Sequence, residues 1–86
     1  MKKIRQTQVD SFNELKKDMS DRQKSVYSVL TVHGDCTNRE LARYLGWDIN
    51  RVTGRVTELV NKGMVTSNGT YYDNQTNRTV TLWKAL

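Results

Sequence analysis

Apolar positions along the chain recur first at helical and then at strand spacing. Val9, Phe12, Leu15 and Met19 fall three or four residues apart, the signature of one helix face. Ser11-Phe12-Asn13-Glu14 precedes most of that stripe as a capping box, in which the Ser and Glu side chains each satisfy a backbone N–H left over at the helix start. Ser20-Asp21-Arg22-Gln23 is a second box, which ends the first helix and begins another. Val26, Leu30 and His33 share a face there, Tyr27 and Val29 flank it, and Gly34 is a stop signal. Thr37-Asn38-Arg39-Glu40 is a third box; Leu41, Ala42 and Leu45 give its helix an apolar side, and Gly46 closes it. Asp48 caps the next helix. Its buried stripe is predicted as Ile49, Val52, Val56, Leu59 and Val60, and Gly63 is its end. So short a connection as Gly46-Trp47-Asp48 predicts that these two helices cross steeply.

After Gly63 the period falls to two. Met64 to Tyr72 is rich in Val, Thr and Tyr, and Thr79, Thr81 and Trp83 alternate with Val80, Leu82 and Lys84. Both runs read as strands. Asn74-Gln75-Thr76-Asn77 is the expected turn, with Asn77 able to take positive φ. Asn68-Gly69 is read as a kink or bulge within one longer strand rather than as a hairpin turn. Tyr71 and Tyr72 point to opposite faces, which predicts that one of them joins the core. Trp47 and Trp83 are read as core anchors, Cys36 as a small buried filler and His33 as a helix-end residue.

Composition narrows the function classes. The 86 residues suffice for one core. Apolar runs never exceed pairs, so a membrane span is excluded. No apolar segment follows Met1, and a cytoplasmic location is expected. One cysteine and one histidine exclude an internal disulfide and a cysteine-based zinc cluster. We find no nucleophile–base pair, phosphate loop or metal spacing, so no enzyme, cofactor or metal is expected. Fourteen Lys and Arg against nine acids give a net charge of +5, which points to a polyanionic partner. That charge is spread over the chain, and only Lys2, Lys3 and Arg5 look like a basic arm.

The stretch Leu41-Ala42-Arg43-Tyr44-Leu45-Gly46-Trp47-Asp48, continued through Val52 and Leu59 to Gly63-Met64-Val65, resembles the winged helix-turn-helix family, MarR-like and small bacterial or phage-type members included. The carrying features are the Leu-Ala pair, Leu-Gly, a buried residue before a cap, a Val inside the second helix, a Leu seven residues later, and Gly followed by two apolar residues at the start of the wing. Thr76-Asn77-Arg78 stands where Thr-Gly-Arg commonly tips the wing turn. The resemblance covers roughly residues 20–84. It implies an α+β, mostly α fold: a three-helix core, a C-terminal two-stranded β-wing, and here an extra N-terminal helix. Residues 1–19 would be a basic arm and accessory helix, and 20–86 the domain.

The same resemblance implies double-stranded DNA binding, with a recognition helix at about 48–62 in the major groove. At about 100° per residue the face opposite the buried stripe carries Asn50, Gly54, Thr57 and Asn61, with Arg51 and Thr53 on its flanks. This face is short and polar, suited to a groove floor. Asn50 can pair with adenine and Arg51 with guanine; Thr53, Gly54 and Thr57 complete the expected base contacts. Backbone contacts are expected from Thr37, Asn38, Arg39, Arg43 and Arg55. Arg39 with Arg43, and Arg51 with Arg55, are like charges four residues apart, an arrangement that a bound phosphate relieves. Arg55 is equally placed to pair with Glu58, and Glu58 with Lys62. The wing, 73–78, is expected on the backbone or in the minor groove, with Thr76, Asn77 and Arg78 as its contacts and Arg78 matching the basic residue that enters the minor groove. About four to five phosphate contacts predict a salt slope of roughly −4. A transcription regulator or phage-type accessory factor fits. The competing class is a protein-interaction winged helix without duplex binding, suggested by the modest charge. The Val9, Phe12, Leu15 and Met19 stripe either completes the core or joins two chains as a homodimer.

Overall fold

The computed structural model describes residues 19–86. Three helices lead into a two-stranded antiparallel sheet: α1 (Asp21–His33), α2 (Asn38–Leu45), α3 (Ile49–Asn61), β1 (Val65–Asp73) and β2 (Arg78–Ala85). The architecture is the one implied by the resemblance. The accessory helix, the Ser11–Glu14 box, Val9, Phe12, Leu15 and the basic arm lie outside the described residues.

Each helix starts where a side chain can spare its first N–H groups from going unpaired. Ser20 Oγ accepts from the Gln23 N–H and Gln23 Oε1 accepts from the Ser20 N–H. Thr37 and Glu40 do the same for α2. Asp48 Oδ2 accepts from the Asn50 N–H at 3.1 Å and so caps α3. The extended backbone of Ser20, ψ 165°, separates α1 from whatever precedes it. Gly46 ends α2 in the left-handed region at φ 68°, which lets the chain turn sharply into α3.

The core gathers Val26 and Leu30 from α1, Leu41 from α2, Val52, Val56 and Leu59 from α3, and Met64 and Val65 at the entry to the wing. Met19 and the free thiol of Cys36 are buried with them. Met19, one member of the predicted homodimer stripe, therefore belongs to this core. Burial pushes the Cys36 thiol up, assisted by Glu40 and Asp35, which leaves it a neutral filler. Trp47 and Trp83 pack half-buried against the core. His33 ends α1 and stacks on Tyr44 of α2, ring centroids 4.0 Å apart.

Two expectations fail. Ile49 is 46% and Val60 37% exposed, so the buried stripe of α3 narrows to Val52, Val56 and Leu59. α3 is gripped along one line by α1 and α2, and both edges of its apolar face remain open. Tyr71 and Tyr72 are both exposed, at 55% and 54%, where one was expected in the core. Both lie beyond the core cluster, where Tyr71 has only Val80 opposite it across the strand pair.

The wing itself follows the predicted plan. Ser67 pairs with Trp83 and Thr70 with Thr81, so Asn68 and Gly69 together oppose Leu82 in a β-bulge. Gly69 takes φ 84° to make it, and Asn77 takes φ 53° at the tip turn. One link was not read from the sequence. Cys36 exchanges backbone hydrogen bonds of 3.1 and 2.8 Å with Trp83, which ties the α1–α2 connection to the free edge of β2.

Candidate nucleic-acid interface

α3 presents Asn50, Arg51, Thr53, Thr57 and Asn61 to solvent, with Gly54 half-buried among them. A Cβ built on Gly54 meets nothing within 4 Å. The glycine is therefore not demanded by packing, although in mid-helix it costs about 0.8–1 kcal/mol relative to alanine. Gly54→Ala is expected to stabilise the free domain by about that amount, which for this size raises Tm by about 4–8 °C. If the glycine serves close approach to a duplex, the same change weakens binding. Thermal unfolding by circular dichroism and a duplex titration, run on one preparation, read both effects.

The threonines are partly committed inward. Thr53 Oγ1 donates to the Ile49 carbonyl at 2.9 Å, and Thr57 Oγ1 to the Thr53 carbonyl at 3.0 Å. Each keeps its methyl group and at least one acceptor position for an outside partner. Asn38 Nδ2 donates to Thr53 Oγ1 at 3.4 Å and so links the start of α2 to α3. Asn38 Oδ1 is buried without a hydrogen-bond partner among the described residues.

The arginines separate into two kinds. Arg55 Nε and Nη2 both donate to the Glu58 carboxylate at 2.8 Å. Gln23 Nε2 donates to the same carboxylate at 2.7 Å. These bonds hold Glu58 below the ordinary glutamate range. Lys62 Nζ donates to Gln23 Oε1 at 2.9 Å, and its charge also helps to lower Glu58, the partner expected for it from the spacing. Arg39 Nη1 donates to Asp73 Oδ2 at 3.1 Å. Arg43, Arg51 and Arg78 have no ion pair among the described residues. They stand on α2, α3 and the wing.

Two clefts place these parts in relation. One, of about 320 Å³, is bordered by Asn38 and Arg39 of α2, Ile49 of α3, and Thr76 and Arg78 of the wing. The other, of about 310 Å³, lies between Arg39 and Arg43 on one side and Tyr71, Asn74 and Gln75 on the other. The starts of α2 and α3 and the wing tip thus border common ground. Thr37 is 4% exposed, and both its hydroxyl and its N–H are spent on Glu40. It builds α2 and does not face outward as a backbone contact would. Asn77 Oδ1 accepts from the Tyr72 hydroxyl at 3.3 Å, so this tip residue also buttresses the wing.

Asp73 was not singled out as a site residue, yet it organises the wing tip. Its Oδ1 accepts from the Gln75 N–H at 2.9 Å. That bond, the Thr76 hydroxyl and Arg39 hold its carboxyl below the ordinary aspartate range. An Asp two residues before a turn amide is the one local signal that pointed to this role. Among the described residues no cluster of three His, Cys, Asp or Glu side chains converges as a metal site. No helix there is long and apolar enough to cross a membrane.

Comparison with known proteins agrees with this geometry. A search of curated proteins finds no match. Among solved structures the chain is similar to a MarR family regulator from Neisseria meningitidis, with a TM-score of 0.64 and 15% identity over 93% of this chain. It is also similar to the adhesin competence repressor of Streptococcus pyogenes, at TM-score 0.65 and 20% identity over 99% of this chain. A third is the PcaV transcriptional regulator of Streptomyces coelicolor, solved with its natural ligand, at TM-score 0.62 and 17% identity over 99%. At such identities the likeness is one of fold. The chain spans 54%, 61% and 58% of the length of these three structures, respectively. A family model described as winged helix-turn-helix DNA-binding matches residues 19–66, more than half of the sequence. The chain belongs to the winged helix-turn-helix DNA-binding family.

Proposed function

We propose that the domain binds double-stranded DNA as part of a transcription regulator, with α3 in the major groove and the wing on the backbone or minor groove. The observation that carries this reading is the outer face of α3, small and polar around an unobstructed Gly54, with unpaired guanidinium groups beside it and on two neighbouring elements. Asn50 and Arg51 read base edges, and Thr53, Gly54 and Thr57 allow the helix to lie close. Arg43 and the first-turn N–H groups of α2 at Asn38 take backbone phosphates. Thr76, Asn77 and Arg78 form the wing contact. Thr37 and Arg55 support this surface from within, through Glu40 and Glu58. A phage-type accessory factor would use the same surface in the same way.

With Arg51 on a base edge, Arg43 and Arg78 are the two unpaired arginines of this surface left for phosphates among the described residues, fewer than the four to five contacts expected from sequence. The logarithm of the binding constant should fall with the logarithm of salt at a slope of about −1.8. A fluorescence-anisotropy titration between 50 and 300 mM salt measures it, and a slope near zero rejects the proposal.

The second reading, a protein-interaction module, draws on the two exposed tyrosines of the wing, a residue type enriched at interface centres. The remaining apolar positions of the N-terminal stripe, Val9, Phe12 and Leu15, are proposed to join two chains. Sedimentation over a range of concentrations tests that pairing, and a strict monomer removes it.

A further inference from the structure

The ion pair between Arg39 and Asp73 joins residues 34 apart in sequence and closes the gap between α2 and the base of the wing tip. Both residues line both clefts, so the pair is the wall between them. Its members differ in freedom. The Asp73 side chain is 16% exposed and the Arg39 side chain 44%. Asp73 is anchored from behind by the Gln75 N–H and the Thr76 hydroxyl, while Arg39 is held at its guanidinium. Asp73 is thus a fixed anion and Arg39 a cation with one partner.

A carboxylate and a phosphate offer a guanidinium the same thing, a pair of anionic oxygens. The carboxylate has the advantage of being tethered in place, an intramolecular partner at high effective concentration. A phosphate arriving at Arg39 would also face the Asp73 charge across a single cation. Arg43, four residues further along α2, has no such competitor among the described residues.

We propose that Asp73 competes with backbone phosphate for Arg39, keeps that arginine out of the grip on DNA, and so sets the strength of the sequence-independent part of binding. The inference rests on the DNA-binding reading above and assigns Asp73 a role within it. α2 then holds the backbone through Arg43 rather than through both arginines.

Asp73→Asn tests this without dismantling the turn, because the amide oxygen can still accept from Gln75 and Thr76. One added phosphate contact steepens the salt slope by about 0.9, from about −1.8 to about −2.7. For a contact worth nothing at 1 M salt, that is a gain of roughly 15-fold in affinity at 50 mM and roughly fourfold at 200 mM. The gain should be equal on random and preferred duplexes, and Arg39→Gln in the Asp73→Asn background should abolish it. An unchanged slope or a weaker complex for folded Asp73→Asn overturns the proposal while leaving DNA binding intact. A wild-type chain that fails to bind duplex at all overturns both. Side-chain Nε–Hε signals of the wild-type protein give a reading that needs no variant. On adding duplex, those of Arg43, Arg51 and Arg78 should shift while that of Arg39 stays. An Arg39 signal that moves with theirs contradicts the assignment.

Discussion

Leu59→Ala is expected to destabilise the domain by about 2–5 kcal/mol, the range for emptying a leucine site in a packed core. Leu59 is fully buried and is the last apolar contact of α3 before the chain enters the wing. Its carbonyl also accepts from the Met64 N–H at 2.9 Å, so the residue sits at the joint between helix and sheet. A domain this small has total stability on the order of 5 kcal/mol. The substitution should therefore leave a large unfolded fraction at physiological temperature. Val60→Ala, one position away and 37% exposed, should stay within about 0.5 kcal/mol of wild type. Urea unfolding reads both as shifts in midpoint at constant slope. Equal effects at the two positions would mean that α3 is rotated relative to the core.

The second large effect concerns Arg51. It is exposed, without an ion pair among the described residues, and sits in the first turn of α3 beside Asn50. Arg51→Ala is expected to lose about 1–3 kcal/mol of binding at one preferred base pair and much less on duplexes lacking it. Arg55→Ala, four residues on, should behave differently. Its guanidinium is clamped to Glu58, so its loss should weaken binding little and uniformly. Removing it also releases the Glu58 carboxylate that holds Gln23 and, through it, α1. A competition series with single base-pair changes separates the two. If Arg51→Ala weakens all sequences equally, direct base reading by Arg51 is wrong.

These contrasts show which parts of the molecule local sequence encodes. Helix starts depend on residues within one turn, so Ser20, Thr37 and Asp48 were legible as caps. The strand period, the bulge at Gly69 and the positive φ of Asn77 are equally local. The edges of a helix's buried stripe are decided by how deeply its neighbours sit, and Ile49 and Val60 were misjudged for that reason. Tyr71 and Tyr72 were misjudged because strand alternation says nothing about how far a hairpin extends beyond the core. Within the candidate site, the outward set on α3 followed from helical geometry alone. Whether an arginine is available did not: Arg39 is claimed from 34 residues away by Asp73, whereas the claim on Arg55 by Glu58 was visible at three residues' separation. The Gln23 amide, which joins Glu58 and Lys62 to the start of α1, also depends on packing that no local spacing announces.

The outward face of α3 is proposed as the surface that meets DNA. Amide chemical-shift mapping of the wild-type chain with a preferred duplex tests it most directly. The largest perturbations should run from Asn50 to Thr57 and recur at the wing tip, while α1 stays quiet. Perturbations confined to the wing or to α1, with Asn50 to Thr57 unmoved, would contradict it.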